Sequence, residues 1–237
     1  MTVPLFALAI KRGWSRWIQA IVGALALLSI AAFLVVEFGF RLNQKVSLPT
    51  EAFLKSGTGK VFDMGAGTGR SAIMVLEARP NTTLVALDQF GASYEQHFGE
   101  AGSQQQIVET GCKRLMANFE AAGVDRRATI HQGGVRKMPL ENAPFDAIVS
   151  AYAIDQLGLE GRRSAFAEAA RVLKPGGEVL LLVVAKDFWL NFTFGPMMLH
   201  GRMPSQGAWI EALQKYGFTV TEAGTPPASF YFLAHKT

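Results

Sequence analysis

Apolar segments of strand length alternate with helical segments from Gly59 onward. Five segments have the length and composition of strands, at 60–64, 83–88, 128–131, 145–151 and 178–185. Helical segments lie between them, near 70–78, 111–123 and 160–173, and the sequence KPGG at 174–177 is expected to end the third. Strands that are apolar on both faces and separated by helices are typical of a parallel sheet covered on both sides. The sequence therefore predicts a doubly wound α/β fold.

The end of the chain departs from this alternation. A helical segment at 210–216 precedes two strand-like segments, 217–224 and 228–235, which are separated only by a loop around Pro226 and Pro227. So short a connection has no room for a crossover helix, so these two strands must pair antiparallel. The prediction is a mostly parallel seven-stranded sheet with an antiparallel last strand at its edge.

Twenty residues without a charge, at 17–36, precede this domain. As a helix they would be about 30 Å long, the thickness of the hydrocarbon core of a bilayer. A cleaved signal fits less well because the run is long and has no clear cleavage site, and a core helix is not apolar on every face. We predict a membrane anchor at 1–45, with a transmembrane helix at about 17–40 in the lipid bilayer, and a globular domain at 46–237.

The charge, cysteine and histidine content argues against a disulfide-bonded, a nucleic-acid-binding and a metal-binding protein. Cys112 is the one cysteine of the chain, so no intrachain disulfide can form and a reducing compartment is expected. The net charge of +4 comes from scattered basic pairs without interleaved aromatic residues, which argues against nucleic-acid binding. His97, His131 and His200 lack the spacing of metal ligands, so no metal is expected.

Three glycines follow the first strand of the domain. Gly65, Gly67 and Gly69 give G-x-G-x-G, in which the third glycine comes one residue earlier than in the dinucleotide fingerprint and Arg70 takes the sixth position. A nicotinamide-dependent oxidoreductase is therefore disfavoured. Asp88 ends the second strand 19 residues after Gly69, where a carboxylate can accept both hydroxyls of a ribose. Bare backbone beside such an acid predicts a nucleoside-like ligand.

Four stretches together resemble the class I S-adenosylmethionine-dependent methyltransferases, which have a Rossmann-like fold. They are VFDMGAGTGR at 61–70, VALD ending at Asp88, PFDAIVSAYAIDQL at 144–157 and RVLKPGGEVLLL at 171–182. The resemblance covers roughly residues 46–237 and is strongest to the branch of quinone and other small-molecule methyltransferases. It implies S-adenosyl-L-methionine as the cofactor and a small-molecule acceptor as the substrate.

The resemblance also assigns the binding residues. Asp63 and the backbone of the glycine loop would hold the methionine end of the cofactor, Asp88 the ribose, and Gln89 would lie beside the adenine. Ser150 would line the pocket floor near the sulfonium. Many relatives place an acid after the third strand, but Gly134 stands there in this chain. The adenine would then be held by the backbone of Gly134 and Val135.

Methyl transfer needs alignment and exclusion of water more than it needs a catalytic dyad. Tyr152 and Asp155, just past the fourth strand, are the candidate catalytic residues, and ordinary strand-end and helix-cap roles are the alternative. Residues 89–110 form either a lid or a surface loop. Residues 186–201, rich in Phe, Trp and Met, form either a helix over the core or an apolar wall for a lipophilic acceptor.

Two interpretations of the whole chain remain. The first is a single-pass, membrane-anchored methyltransferase that acts on a quinone, an isoprenoid or a lipid, with its catalytic domain on the cytoplasmic side, where the cofactor is made. Lys11, Arg12 and Arg16 favour the opposite orientation. The second is a non-catalytic subunit of a membrane complex, with protein partners packed on Ala20, Gly23 and Ala24 of the N-terminal helix.

Overall fold

The computed structural model describes residues 2–34, 47–90, 104–142, 144–185, 204–226 and 229–237. The chain divides into two compact units. The first comprises Met1–Lys45 with Asp187–Gly201, and the second comprises Val46–Lys186 with Arg202–Thr237. Each unit is described by itself below.

The first unit contains two helices that pack on one another, α1 at Thr2–Lys11 and α2 at Arg16–Leu34. By length and composition α2 could cross a membrane, a criterion that signal sequences and core helices of soluble proteins also meet. Most of α2 is exposed, and only Val22 and Ala26 are buried. Residues 35–40, the rest of the predicted transmembrane helix, lie outside the described residues.

The second unit is built on a seven-stranded sheet with the order β3-β2-β1-β4-β5-β7-β6. The strands are β1 Thr58–Met64, β2 Asn81–Asp88, β3 Ala128–Gln132, β4 Phe145–Ala151, β5 Leu173–Val184, β6 Phe218–Gly224 and β7 Ser229–Lys236. Neighbours from β3 to β5 are parallel, and β7 is antiparallel to both β5 and β6. The predicted antiparallel last strand is confirmed, but it lies inside the sheet and β6 is the edge.

In the described part of the second unit, four helices cover the two faces of this sheet: α3 Arg70–Ala78, α4 Gln104–Ala121, α5 Leu159–Val172 and α6 Gln206–Lys215. Alternate residues of the strands point into two separate cores. The first core contains side chains of α3 and α4, such as Val75 and Phe119, and the second contains side chains of α5 and α6, such as Phe166 and Trp209. This arrangement confirms the doubly wound α/β class.

The sequence at 174–177 follows the end of the third predicted helix, as expected, and also belongs to the next strand. Helix α5 already ends at Val172, and β5 begins at the next residue. Gly176 has a φ of 73°, and the pairing of β4 with β5 shifts between Phe145 and Ala147. The turn residues therefore form the irregular opening of β5, and the helix ends before them.

The turn at 51–56 fastens the start of the second unit to the sheet. Phe53 is fully buried in the first core, and its carbonyl accepts a hydrogen bond from Arg79 Nε at 2.9 Å. The Leu54 N–H donates to Glu178 Oε2 at 2.7 Å. Thr50 Oγ1 donates to Glu222 Oε2 at 2.7 Å on β6, the strand that carries a bulge between Val220 and Glu222. This segment is therefore part of the folded unit.

We expect Phe53→Ala to lower the free energy of unfolding of the full chain by about 3–5 kcal/mol, because it leaves a cavity in a closed core. Leu159→Ala is the matched control, since Leu159 is 63% exposed and its truncation should change stability by less than about 0.5 kcal/mol. Urea denaturation in detergent measures both. A loss below about 1 kcal/mol for Phe53→Ala would mean that the turn does not belong to the core.

Candidate cofactor site

The glycine loop joins the end of β1 to the start of α3. Gly65, Gly67 and Gly69 all have positive φ, at 84°, 52° and 90°, a backbone region that favours glycine. The N–H groups of Gly65 and Ala66 both donate to the Leu87 carbonyl at 3.0 Å, which ties the loop to β2. Gly69 is the N-cap of α3 and provides no side chain there. The loop therefore presents bare backbone at the carboxyl edge of the sheet.

Two of the three glycines are also required by close packing. A Cβ at position 65 would lie 2.4 Å from the Cβ of Ala153, in the turn after β4. A Cβ at position 69 would lie 2.5 Å from Leu115 Cδ1 and 2.8 Å from Phe119 Cε1, both on α4. Any side chain at either position would force these neighbours apart.

Asp88 holds the loop from the end of β2. Its Oδ2 accepts a hydrogen bond from the Gly67 N–H at 2.8 Å, and its Oδ1 accepts one from the Phe90 N–H at 2.9 Å. A carboxylate can accept about four hydrogen bonds, so two backbone donors leave capacity for ligand hydroxyls. Asp88 is half-buried, which leaves it within reach of a ligand.

The residues predicted to surround the adenine are close together beside Asp88. The Gly133 N–H donates to the Asp88 carbonyl at 2.9 Å, which brings the loop segment directly after β3 to the end of β2. The amide oxygen of Gln89 is 3.8 Å from the position of a Cβ on Gly134. Val135 packs its side chain against the second core.

Asp63 is a fully buried acid under the glycine loop. Its Oδ2 accepts a hydrogen bond from Ser71 Oγ at 2.7 Å, and its Oδ1 has no partner among the described residues. Burial raises the pKa of Asp63 to about 7; the negative charge of Asp88 adds to the rise and the Ser71 hydrogen bond opposes it. The proton is therefore held more tightly by Asp63 than by an ordinary carboxyl.

Ser150 joins two neighbouring strands of the sheet. Its side chain has no exposed surface, and its hydroxyl donates to the Met64 carbonyl at 2.7 Å, which joins β4 to β1. The contact accounts for the hydroxyl without a ligand. The place of Ser150 in the floor of the pocket near the sulfonium stays a prediction.

Tyr152 and Asp155 lie in the turn that packs on the glycine loop through Ala153. Tyr152 has a φ of 56°, uncommon for a residue with a side chain, and its N–H donates to the Leu182 carbonyl at 2.9 Å. Asp155 is 3% exposed, and its Oδ2 accepts a hydrogen bond from the Val184 N–H at 2.9 Å. Asp155 does not cap α5, whose N-cap is Gly158, but it lies in the 3-10 turn Ile154–Gln156 and binds the end of β5, as the structural alternative expects.

The remaining acceptor atom of Asp155 is its Oδ1, which has no partner within the described part of the chain. Burial raises the pKa of Asp155, and hydrogen bonds from backbone groups, Val184 first, and the charge of Arg162 oppose the rise. Arg162 Nη2 donates to the Asp155 carbonyl at 3.0 Å, and its guanidinium lies 5.1 Å from the centre of the Trp209 ring. A carboxylate held in this way can accept a proton.

Sequence reasoning missed residues that support the site from a distance. Asn118 on α4 donates from Nδ2 to the Thr68 carbonyl at 2.8 Å, and Ser71 binds Asp63. Nothing in the sequence links Asn118 to a loop 50 residues earlier, whereas the position of Ser71, two residues after the last glycine, was a usable signal. The described residues contain no group of three or more potential metal ligands. Residues 91–103, which are most of 89–110, and all of 186–201 lie outside the described residues.

Residues 62–181, half of the chain, match the family model described as "Methyltransferase domain". The chain belongs to this methyltransferase family. The matched range runs from β1 to β5 and contains the loop, Asp88 and the turn after β4. It confirms the predicted family and enzyme class, and with them S-adenosylmethionine as the cofactor.

Similar proteins and structures agree with this assignment. The chain is 29% identical to the rice 2-methyl-6-phytyl-1,4-hydroquinone methyltransferase 1, over 67% of this chain and 41% of the relative. It is 26% identical to a ubiquinone/menaquinone biosynthesis C-methyltransferase of Syntrophotalea carbinolica, over 62% and 53%. The fold matches an O-methyltransferase family 2 protein of Planctomyces limnophilus with a TM-score of 0.60 at 18% identity, over 94% and 62% of the two chains. The chain spans about half the length of the curated relatives it matches.

The site fits the cofactor that the family uses. S-adenosylmethionine carries an ammonium, a sulfonium, a ribose diol and an adenine, so it needs acids, unobstructed backbone and a polar edge. Groups of these kinds are present at the carboxyl edge: the Oδ1 of Asp63, which has no partner among the described residues, the bare backbone of the loop, the carboxylate of Asp88 and the amide of Gln89.

We expect Gly65→Ala to weaken the binding of S-adenosylhomocysteine at least about tenfold, because the new Cβ must push Ala153 away and distort the loop. Gly123→Ala is the matched control: its φ is 67°, but no atom lies within 4 Å of the new Cβ. The control should lose about 1 kcal/mol of stability, as is usual where glycine is favoured, and retain its affinity. Calorimetric titration measures the binding. If both variants lost the same affinity, backbone strain alone would explain the effect and the contact with Ala153 would not be needed.

Asp63 predicts a distinctive dependence of stability on pH. Between about pH 4 and 7 the folded chain keeps a proton on Asp63 that the unfolded chain has lost, so this group makes unfolding easier as the pH rises. Asp63→Asn cannot ionise, and its Tm relative to the unmodified chain should rise by about 3 °C or more from pH 5 to pH 8.

Asp146 is the control, because its ionisation should change the stability with pH in the opposite direction to that of Asp63. Hydrogen bonds from Lys174 and from the Lys60 N–H lower the pKa of Asp146, so its contribution to stability is present above the ordinary pKa of a carboxyl and is lost in acid. Asp146→Asn should therefore lower Tm at pH 7 and lose this effect as the pH falls below 4. If the Tm difference from the unmodified chain changed with pH in the same way for both variants, the raised pKa of Asp63 would be contradicted.

Proposed function

We propose that the chain is a membrane-anchored enzyme that transfers a methyl group from S-adenosylmethionine to a small lipophilic acceptor. The observation that carries the proposal is the juxtaposition of the glycine loop with Asp88 at the carboxyl edge of the sheet, in a member of the methyltransferase family. The bound cofactor would supply a methyl group on a positively charged sulfur, which needs no further activation.

The residues of the site divide into three groups in this proposal. Asp63 and the loop backbone bind the methionine end, and Asp88 binds the ribose. Gln89 and the backbone of Gly134 and Val135 bind the adenine, so that the amide of Gln89 supplies a polar group where many relatives have an acid. The proximity of Gln89 to Gly134 supports this arrangement.

Tyr152 and Asp155 are proposed to act on the acceptor. Both belong to the turn that touches the glycine loop, which brings them near the methionine end of the site. A phenolic or hydroquinone hydroxyl must lose a proton as it is methylated, and a ring carbon must lose one afterwards. Asp155 has an oxygen without a partner among the described residues and a raised pKa, two properties that favour a role as a proton acceptor.

A quinone or related isoprenoid is the favoured acceptor class. The two named relatives are a phytyl hydroquinone methyltransferase and a quinone C-methyltransferase, and the membrane anchor would bring this chain to lipophilic molecules. Helix α2 supports the anchor, since it is long and apolar enough to cross a bilayer. The second unit would lie on the cytoplasmic side, where the cofactor is made, although the basic residues before α2 favour the opposite orientation.

Binding of the cofactor is tested by calorimetric titration of the full chain in detergent. Asp88→Asn should weaken S-adenosylmethionine binding about ten- to hundredfold, the value of one or two charge-assisted hydrogen bonds. Asp146→Asn, a carboxylate at the opposite end of the strands, should leave the affinity unchanged within about twofold. A folded chain that binds no cofactor would instead support the non-catalytic subunit.

The acceptor class is tested with a matched pair of hydroquinones, one with an isoprenoid tail and one without. We expect the tailed compound to be methylated at least about tenfold faster by the chain in liposomes, since each buried methylene contributes about 0.8 kcal/mol. Mass spectrometry of the products measures the rates. Equal rates for the pair, or methylation of the tail-less compound only, would contradict a lipophilic acceptor.

A further inference from the structure

We infer that α1 is embedded in the bilayer together with α2, so that the anchor is a helical hairpin and its polar turn lies among the lipid headgroups. The inference rests on the proposed membrane location of α2 and not on the proposed reaction. It assigns α1, a segment too short to cross a bilayer, to the hydrocarbon core.

Close packing joins the two helices. The ring of Phe6 covers Gly23, and a Cβ at position 23 would lie 2.9 Å from Phe6 Cε2. Ala9 of α1 is fully buried, and Val22 and Ala26 of α2 are nearly so. Small residues that let helices approach closely are the usual basis of helix association in lipid. The glycine expected to bind a partner helix is therefore already covered by a residue of the same chain.

The turn between the helices satisfies its own backbone. Gly13 has a φ of 62°, its N–H donates to the Ile10 carbonyl at 3.1 Å, and the Trp14 N–H donates to the Ala9 carbonyl at 3.0 Å. This is the Schellman pattern, which closes the end of α1. Gln19 Nε2 then donates to the Trp14 carbonyl at 2.8 Å, across the turn. Such closure suits a segment that lies at or below the surface of a membrane.

The polar side chains of α2 are also hydrogen-bonded within the chain. Apart from Gln19, Ser29 is the one polar side chain in α2 after Arg16, and its Oγ donates to the Leu25 carbonyl at 2.8 Å. A polar group in hydrocarbon has no water to bind, so it must find a partner within the protein. Both polar side chains meet that requirement inside the hairpin.

The outer surface of the hairpin is apolar on all sides. Of the thirteen large apolar residues that are exposed among the described residues, eleven are on the two helices: Leu5, Leu8, Ile10, Trp17, Ile21, Leu25, Leu27, Leu28, Ile30, Phe33 and Leu34. A protein partner covers one face of a helix, whereas lipid covers the whole circumference. The distribution therefore indicates lipid as the occupant.

The charges of the hairpin are confined to its turn. Lys11, Arg12 and Arg16 lie within six consecutive positions between the two apolar helices, and all three are exposed. Basic side chains are attracted to anionic headgroups by about 1 kcal/mol each. With the turn at the headgroups, α1 would extend about 15 Å into the bilayer and α2 about 28 Å, at a rise of about 1.5 Å per residue.

Single cysteines in a Cys112→Ser background test the hairpin in liposomes that contain anionic lipid. The probe is a water-soluble maleimide, added to both sides of the membrane after permeabilisation of the vesicles. We expect Ser15→Cys in the turn to react at least about tenfold faster than either Leu8→Cys on α1 or Leu25→Cys on α2. Rapid reaction of Leu8→Cys with slow reaction of Leu25→Cys would overturn the hairpin and leave the anchor intact.

Two further outcomes are distinguishable. Rapid reaction of both Leu8→Cys and Leu25→Cys would place neither helix in lipid, which would overturn the anchor as well as the hairpin. Binding of S-adenosylhomocysteine is measured on the same samples, so a failure of the cofactor site is detected independently of where the helices lie.

A packing variant tests whether α1 is held by α2. Gly23→Leu, which must displace the Phe6 ring, should accelerate the labelling of Leu8→Cys at least about tenfold. Ala24→Leu adds a similar volume at the next, exposed position and should have no effect. Adding Phe6→Ala to Gly23→Leu should restore slow labelling. Equal effects of the two leucine variants would contradict the packing of Phe6 on Gly23.

Discussion

At the carboxyl edge of the sheet, the turn after β4 and the loop after β1 approach so closely that only a hydrogen atom fits between Ala153 and the backbone of residue 65. The other parts of the site depend on this contact. It fixes the loop whose N–H groups bind Leu87 and Asp88, and it places Tyr152 and Asp155 beside that loop. Because Gly65 also needs a positive φ, no other residue could make the contact without strain.

Two buried acids give the site an electrostatic character that differs from the rest of the fold. Asp63 and Asp155 each use one oxygen in a hydrogen bond and leave the other without a partner in the described residues. Burial of an incompletely paired carboxyl costs stability, and residues of this kind are concentrated at functional sites. A cationic cofactor beside Asp63 would favour the ionised carboxylate, so that binding and protonation would be coupled.

The sequence predicted those parts of the structure that depend on local patterns. Strand and helix periods gave the α/β class, and the glycines with Asp88 gave the position of the cofactor site. The contacts that complete the site join distant residues: Ala153 with Gly65, Asp155 with Val184, and Asn118 with Thr68. Local composition carries no information on such pairs. The position of β7 inside the sheet was likewise decided by tertiary pairing.

The placement of β7 between β5 and β6 has a consequence for self-association. Among the described strands it leaves β6 and β3 as the two edges of the sheet, where backbone groups could recruit strands from other molecules and start aggregation. The bulge between Val220 and Glu222 interrupts the regular ladder of β6, and β3 has only five residues. A short edge and a bulged edge are poor templates for strand addition, which would help to keep copies of the chain from polymerising through their sheets.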